Sequence, residues 1–234
     1  MKQSNKRSVV IVAGGKGIRA GGKLPKQFQP IGYKPMLMRT IEAFYSFCNK
    51  IKIIVVLPAE YISSWKELCD KYKFLIPHIV VKGGETRFHS VKNGLSEVAN
   101  NETVAIHDAA RPFVSKSIIE RCFSAAQEYS CGIVPVISEK NSMRKITLTG
   151  SETINRDLFK IVQTPQVFPA EALKKAYSIP FQSIFTDDAS VAEMSGITIK
   201  LVDGDEQNIK ITTPLDLQIG TLLATIHDEK GTIE

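Results

Sequence analysis

Short apolar runs rich in valine and isoleucine alternate along this chain with longer stretches in which apolar residues return every three or four positions. Residues 9–13 form the first run, and 51–57, 76–81, 104–106 and 132–137 repeat it, each bounded by Gly, Pro or polar residues. Such runs predict buried strands. Met36, Leu37, Ile41, Ala43 and Phe44 recur at helical spacing, and 61–72, 86–98 and 115–129 carry the same period, the last with Ser115 in position to cap it. Beyond a further run at 161–168 lie helical patterns at 170–177, 186–194 and 214–227 and strand patterns at 198–202 and 209–211. Strands separated by helices of about ten to fifteen residues imply βαβ units with right-handed crossovers. The fold class is therefore α/β, a mostly parallel sheet flanked by helices.

One segment breaks the rhythm. Residues 138–157 are polar, Ile146, Thr147, Leu148 and Thr149 alternate, and Gly150 lies at the centre. This predicts a projecting β-hairpin with too little apolar surface to hold itself folded. No internal repeat and no linker is legible, so the expectation is one domain over residues 1–234 with an arm at about 138–157.

Composition narrows the class. With 234 residues, 43% hydrophobic and 23% charged, the chain can build a sizeable core, and nothing in it suggests disorder. A net charge of +6 is compatible with nucleic acid, but no basic run of that kind occurs, and a small polyanionic substrate accounts for the excess. Cys48, Cys69, Cys122 and Cys131 lack metal-type spacing and sit in apolar-periodic segments, which reads as reduced thiols in a cytoplasm. The apolar run at 9–13 is too short for a signal segment or a membrane span.

Candidate chemistry begins immediately after that run. Gly14, Gly15, Gly17, Gly21 and Gly22 are interleaved with Lys16, Arg19, Lys23 and Lys26, with no acid among them. Glycines let backbone N–H groups surround an anion, so the segment reads as a polyphosphate cradle. The dinucleotide fingerprint from Gly15 and Gly17 would put its third glycine on Ala20, where no helical pattern begins. The P-loop pattern fits Gly17, Gly22 and Lys23 but has Leu24 where a hydroxyl must reach Mg2+. The nucleotidyltransferase pattern, G-x-G-x-R and then P-K, fits Gly15, Gly17, Arg19, Pro25 and Lys26. A surface loop with solvated lysines is the bland alternative.

In open parallel sheets ligands sit beyond the carboxyl ends of the strands. At 83–90, Gly83 and Gly84 let backbone approach a base edge and Ser90 adds a hydroxyl, or Thr86 simply caps a helix. At 107–112, Asp108 could hold Mg2+ or ribose hydroxyls and Arg111 a phosphate, or the two could form a buried ion pair. Lys210 stands alone in an apolar strand pattern, usually an edge position.

The segments GGKGIR with LPKQF, GGETRFHS, VAIHDAARP, NRDLFKIVQTPQVF, TDDASVAE and NIKITTP follow one another in that order. Over nearly the whole chain they resemble the 2-C-methyl-D-erythritol 4-phosphate cytidylyltransferases of the non-mevalonate isoprenoid pathway, HDAARP being the most specific. The ribitol-5-phosphate cytidylyltransferases share GGKG, PKQF, QTPQ and NIKITTP. They have a longer interval between the loop arginine and the P-K lysine, and tend to HDAVRP. The short interval from Arg19 to Lys26, together with Ala110, favours the isoprenoid family.

The resemblance implies a Rossmann-like nucleotidyltransferase fold and, as substrates, CTP and a polyol phosphate. Arg19 and Lys26 would stabilise the transition state on the triphosphate. Ala13, Gly14, Gly15, Gly17, Gly84, Glu85 and Ser90 would form the pocket for cytosine and the nearby sugar and phosphates, with Asp108 and Ala109 on the ribose. Arg111, Ser142, Arg156, Thr164 and Lys210 would line the acceptor-phosphate side, and Arg156 would cross to a partner subunit on the arm of a homodimer. Mg2+ would be held mainly by the triphosphate, with Asp108 its candidate protein ligand. Ser142 stands where the family has threonine, and its hydroxyl is retained; Lys16 and Lys23 receive no role. No nucleic acid or membrane is implied. A binding protein that had lost turnover would be expected to lose loop cations, yet Arg19, Lys26, Arg156 and Lys210 are all present.

Overall fold

Strand alternation sorts the apolar residues of this protein onto two faces of one sheet. The computed structural model describes residues 6–14 and 25–230. In β1 (Arg7–Val12), Val9 and Ile11 face one side while Val10 faces the other. A short hairpin of β2 (Pro30–Ile31) and β3 (Lys34–Pro35) leads into α1 (Met36–Phe47), and β4 (Lys52–Leu57), α2 (Ile62–Tyr72) and β5 (Ile79–Lys82) follow. Next come α3 (Arg87–Leu95), β6 (Thr103–Asp108), α4 (Lys116–Tyr129) and β7 (Gly132–Ser138). The arm is β8 (Arg144–Thr147) and β9 (Gly150–Thr153); the chain then forms β10 (Lys160–Val162), β11 (Gln166–Pro169), α5 (Ala170–Ala176), α6 (Asp188–Met194), β12 (Ile199–Asp203) and α7 (Pro214–Lys230).

Among the described residues the main sheet runs β10-β7-β11-β6-β1-β4-β5, with β12 pairing to β7. The pairs β1–β4, β1–β6, β4–β5 and β7–β12 are parallel, whereas β10 and β11 run antiparallel to their neighbours. Trp65 of α2 and Ile118, Ile119 and Phe123 of α4 join α1 on the face of Val9 and Ile11. Phe88 and Val91 of α3, Leu173 of α5 and Val191 of α6 cover the face of Val10. A third cluster seats α7 through Ala224 against Ile31, Met36, Phe113 and Ile211.

Most of the predicted elements appear near their expected positions, and the departures have physical causes. The pattern at 209–211 is not a strand: Ile211 is buried in the α7 cluster, and its N–H donates to Ala110 O at 2.9 Å instead of joining a ladder. The run at 161–168 is two strands, because Pro165, which follows a cis bond from Thr164, has no N–H to carry a ladder from β10 into β11. The third strand begins at Ile79 rather than 76, and the helix expected from 186 begins at Asp188, with Asp187 as its cap. The hairpin arm does form, and Ile146 and Leu148 are 80% and 107% exposed on it. All four cysteines are free thiols, Cys122 and Cys131 buried. No helix among the described residues is long and apolar enough to cross a membrane.

The position of α3 depends on a glycine. A Cβ added at Gly94 would lie 2.5 Å from Val10 Cγ1 and 2.9 Å from Val56 Cγ2, so the helix rests directly on the sheet there. Gly94→Ala should therefore overpack this face and destabilise the fold by about 1–3 kcal/mol. A thermal melt would read this as a Tm several degrees lower; an unchanged or higher Tm would show that the interface gives way freely.

Candidate active site

The carboxyl ends of β1, β4, β5 and β6 open onto one cavity of about 680 Å3. Among the described residues its wall includes Ala13 and Gly14 after β1, Gly84 and Glu85 after β5, Asp108 and Ala109 at the end of β6, and the cations Lys26, Arg87 and Lys210. Parallel strands with short turns bring these residues together because all of those turns leave the sheet at the same edge. Gln27 fastens the front: its Nε2 donates to Ala13 O at 3.0 Å, which places Lys26 beside the end of β1.

Ser90 lies beneath the 83–85 turn. It is buried, its Oγ accepts from Gly84 N at 3.1 Å, and a Cβ on Gly83 would meet that oxygen at 3.0 Å. At Gly84 a Cβ would fall 2.4 Å from His89 Cβ, so only glycine lets the turn fold back over α3.

Asp108 is the electrostatic centre. Its Oδ2 lies 2.9 Å from Lys210 Nζ and 3.5 Å from Arg111 Nε, and its Oδ1 3.7 Å from Arg87 Nε. Burial alone would raise its carboxyl, but Arg87, Lys210 and Arg111 outweigh it and hold the group ionised well below the usual carboxylate range. The ion pair with Arg111 thus exists, but as one of three. Arg111 and Thr164 stand behind the wall, both buried. Arg111 Nη1 donates to Asn208 O at 2.7 Å, Asn208 Nδ2 donates to Thr164 O at 2.8 Å, and Asp108 N donates to Thr164 Oγ1 at 3.1 Å. These bonds tie the 208–211 segment to the 107–111 turn and deliver Lys210 to Asp108 without a strand. Lys26 is half-buried, and burial together with the nearby Lys210 charge lowers its pKa. A bound polyanion favours the charged form of Lys26.

Ser142 and Arg156 are exposed on the arm and do not line the cavity; Arg156 Nη1 donates to Lys140 O. Gly15, Gly17 and Arg19 lie outside the described residues, as do Lys16 and Lys23. Among the described residues no group of three or more His, Cys, Asp or Glu is arranged to hold a metal. The ionised carboxylate of Asp108, at the wall, fits the mode in which Mg2+ is carried by substrate phosphates with one protein ligand. Sequence reasoning passed over Gln27, Arg87, His107 and Asp188. All four lie inside motifs it singled out, but nothing local announces their partners.

A family model described as IspD: 2-C-methyl-D-erythritol 4-phosphate cytidylyltransferase matches residues 8–225. The chain is 54% identical over 217 residues to the 2-C-methyl-D-erythritol 4-phosphate cytidylyltransferase of Bacteroides fragilis, covering 93% of this chain and 99% of that one. It is also similar to the solved enzymes of that name from Francisella tularensis and Thermus thermophilus. The first is 29% identical with a TM-score of 0.77, covering 93% of this chain and 99% of that one. The second is 27% identical with a TM-score of 0.74, covering 92% and 98%.

His107, inside the HDAARP motif, is fully buried with both ring nitrogens engaged. Nε2 lies 3.1 Å from Arg111 O, which can only accept, so Nε2 carries the proton and Nδ1 accepts from the Thr164 hydroxyl at 3.0 Å. Burial pushes its pKa down from 6.5 to about 4. Between those values the unfolded chain binds a proton that the folded chain does not, so stability rises with pH across the window and is lost as pH falls through it. The contribution is about 3 kcal/mol between pH 7 and pH 4. Urea unfolding of His107→Gln should show a pH dependence flatter by about that amount; parallel curves for the two proteins would mean that His107 titrates normally.

Proposed function

The chain belongs to the 2-C-methyl-D-erythritol 4-phosphate cytidylyltransferase family, and we infer that it transfers the cytidylyl group of CTP to 2-C-methyl-D-erythritol 4-phosphate. The products are 4-diphosphocytidyl-2-C-methyl-D-erythritol and pyrophosphate. It is a nucleotidyltransferase of the non-mevalonate route to isoprenoid precursors. The observation that carries this into chemistry is a cavity at the strand ends in which Lys26 and Lys210 flank the ionised Asp108.

An acceptor phosphate oxygen attacks the α-phosphorus of CTP, the bond to the β-phosphate bridging oxygen breaks, and pyrophosphate leaves with that electron pair. No protein group becomes covalently attached. Two anions must meet, and at about 4 Å and an effective dielectric near 20 each pair of like unit charges costs roughly 4 kcal/mol. Lys26 and Arg19 on the triphosphate, and Lys210 and Arg156 on the acceptor phosphate, supply the compensating charge. Ala13, Gly14, Gly15, Gly17, Gly84, Glu85 and Ser90 form the pocket for cytosine and the neighbouring sugar and phosphates. Asp108 and Ala109 hold the ribose. Arg111 and Thr164 hold Asp108 and Lys210 in place on the acceptor side, and Ser142 serves the acceptor phosphate from the arm. A divalent cation, when bound, neutralises charge on the triphosphate, with Asp108 as its one protein carboxylate. The chain acts as one cytoplasmic nucleotidyltransferase domain, without nucleic acid or membrane.

Purified protein mixed with CTP, Mg2+ and either methylerythritol phosphate or ribitol phosphate should release pyrophosphate much faster with the first. Faster turnover with ribitol phosphate would move the chain to the sister activity. Lys26→Ala and Lys210→Ala should lower kcat by about 10²- to 10³-fold, the scale for one preorganised donor, with smaller changes in KM. An unchanged kcat in either variant would return that lysine to ordinary surface charge.

The working unit is a homodimer with exchanged arms. Exposed Ile146 and Leu148 on a two-stranded hairpin support this, since such a ribbon needs a surface to pack on. If Arg156 serves the partner's site, Arg156→Ala has a sound cavity and a poor arm, while Lys26→Ala has the reverse. A heterodimer then carries one doubly defective and one intact site. Unfolding and refolding an equimolar mixture should restore about a quarter of wild-type sites, because about half the dimers are mixed. Activity no higher than the mean of the two variants, with heterodimers demonstrated, would assign Arg156 to its own chain or to no site.

A further inference from the structure

Arg87 is a cation where its own helix disfavours one. It is the first residue of α3, at the positive end of the helix dipole, and Thr86 already caps that end by accepting from His89 N at 3.4 Å. What holds it lies outside the helix. Nη1 and Nη2 pair with Oδ1 and Oδ2 of Asp188 at 3.0 and 2.7 Å, while Nε faces Asp108 Oδ1 at 3.7 Å. Asp188 has no exposed surface, and its Oδ1 also accepts from the Tyr177 hydroxyl at 2.6 Å.

The support behind Asp188 is rigid. Gln166 Nε2 donates to Asp187 Oδ2 at 2.8 Å, and Gln166 Oε1 accepts from Ala189 N at 2.8 Å. Gln166 belongs to β11 and pairs with Ile106 of β6, two residues before Asp108. The start of α6 is therefore fastened to the strand that neighbours Asp108's own, and Arg87 spans the distance between the two carboxylates.

This divides the ion pairs around Asp108 unequally: among the described residues Lys210 and Arg111 pair with Oδ2, and Arg87 alone pairs with Oδ1. Without Arg87, no ion pair among the described residues holds Oδ1 against rotation of the carboxylate toward Lys210. A guanidinium can span two carboxylates because its planar fork binds one while its Nε edge faces the other; an ammonium is a point charge and cannot. We propose that Arg87, held by Asp188 and Tyr177, is a positioning residue that fixes the rotation of the Asp108 carboxylate and so sets the preference for ribose over deoxyribose nucleotides. The inference rests on the reading of Asp108 as the ribose contact.

The test is a ratio that a merely structural role leaves unmoved. With methylerythritol phosphate and Mg2+, kcat/KM is measured for CTP and for 2′-deoxy- and 3′-deoxy-CTP in wild type, Arg87→Lys, Arg87→Gln and Asp108→Asn. Wild type should prefer CTP to at least one deoxy analogue by roughly 10- to 100-fold, the scale of a hydrogen bond to a charged group. Both Arg87 variants and Asp108→Asn should bring that ratio to within a few-fold of one. Adding Arg87→Gln to Asp108→Asn should change it no further, because the effect passes through Asp108. Simple loss of folded protein lowers all nucleotides equally and preserves the ratio. A wild-type ratio retained by the Arg87 variants overturns the proposal. A wild-type enzyme that does not discriminate overturns the ribose reading of Asp108 and the proposal with it, while pyrophosphate release from CTP leaves the cytidylyltransferase activity standing. If Arg87→Gln does not fold, Arg87→Lys, which keeps a charge opposite Asp188, carries the test, with circular dichroism confirming its fold.

Discussion

A buried carboxylate has to be matched by cations, and Asp108 is matched by three that reach it from different parts of the chain. Desolvation of an ion costs on the order of several kcal/mol even after relaxation. Arg87 from the start of α3, Arg111 from the turn after β6 and Lys210 from the approach to α7 offset that cost together. The arrangement works in both directions. It keeps Asp108 charged, and it draws an irregular segment, a helix terminus and a strand end into one wall of the cavity. Asp188 in turn holds Arg87, and Tyr177 donates to Asp188. The charges therefore alternate from the buried start of α6 to the open cavity.

Backbone bonds set the positions from which these charges act. His107, Thr164 and Asn208 are all buried: His107 Nε2 donates to Arg111 O, Thr164 Oγ1 accepts from Asp108 N, and Asn208 Nδ2 donates to Thr164 O at the cis-proline bend. Neutral His107 suits this role, since a charged ring would bring a second donor to the Thr164 hydroxyl that Asp108 N already uses. Lys26 comes from the opposite side, placed by the bond of Gln27 to the end of β1. Its charge is disfavoured by burial and by Lys210, which suits a site whose ligands are polyanions.

The arm follows a different rule. It pairs with itself, carries exposed Ile146 and Leu148, and holds Arg156 against its own base through Lys140 O. Exposed apolar residues on a two-stranded ribbon are the feature that the proposed partner surface would cover. The cavity is lined from the strand ends and the segments beside them, and the arm stands apart from it.

Much was legible from the sequence alone, because it is local. Continuous apolar runs and stretches with period near 3.6 announced the α/β layers, polar alternation announced the arm, and glycines beside cations announced an anion site. Which charges meet was not legible. Arg87 and Asp188 are 101 positions apart, and no periodicity links them. Lys210 looked like an edge-strand residue, yet it lies on an irregular segment brought to Asp108 by Asn208, Arg111 and the N–H of Ile211. The proline bend after Thr164 split one apolar run into two strands, since proline supplies no N–H to continue a ladder. The sequence by itself determined most of the elements, the class of ligand and several of the residues that line the cavity, since these depend on spacing and side-chain type. Only the tertiary structure decided how each carboxylate is shared among the cations, because that depends on distances created when remote segments pack.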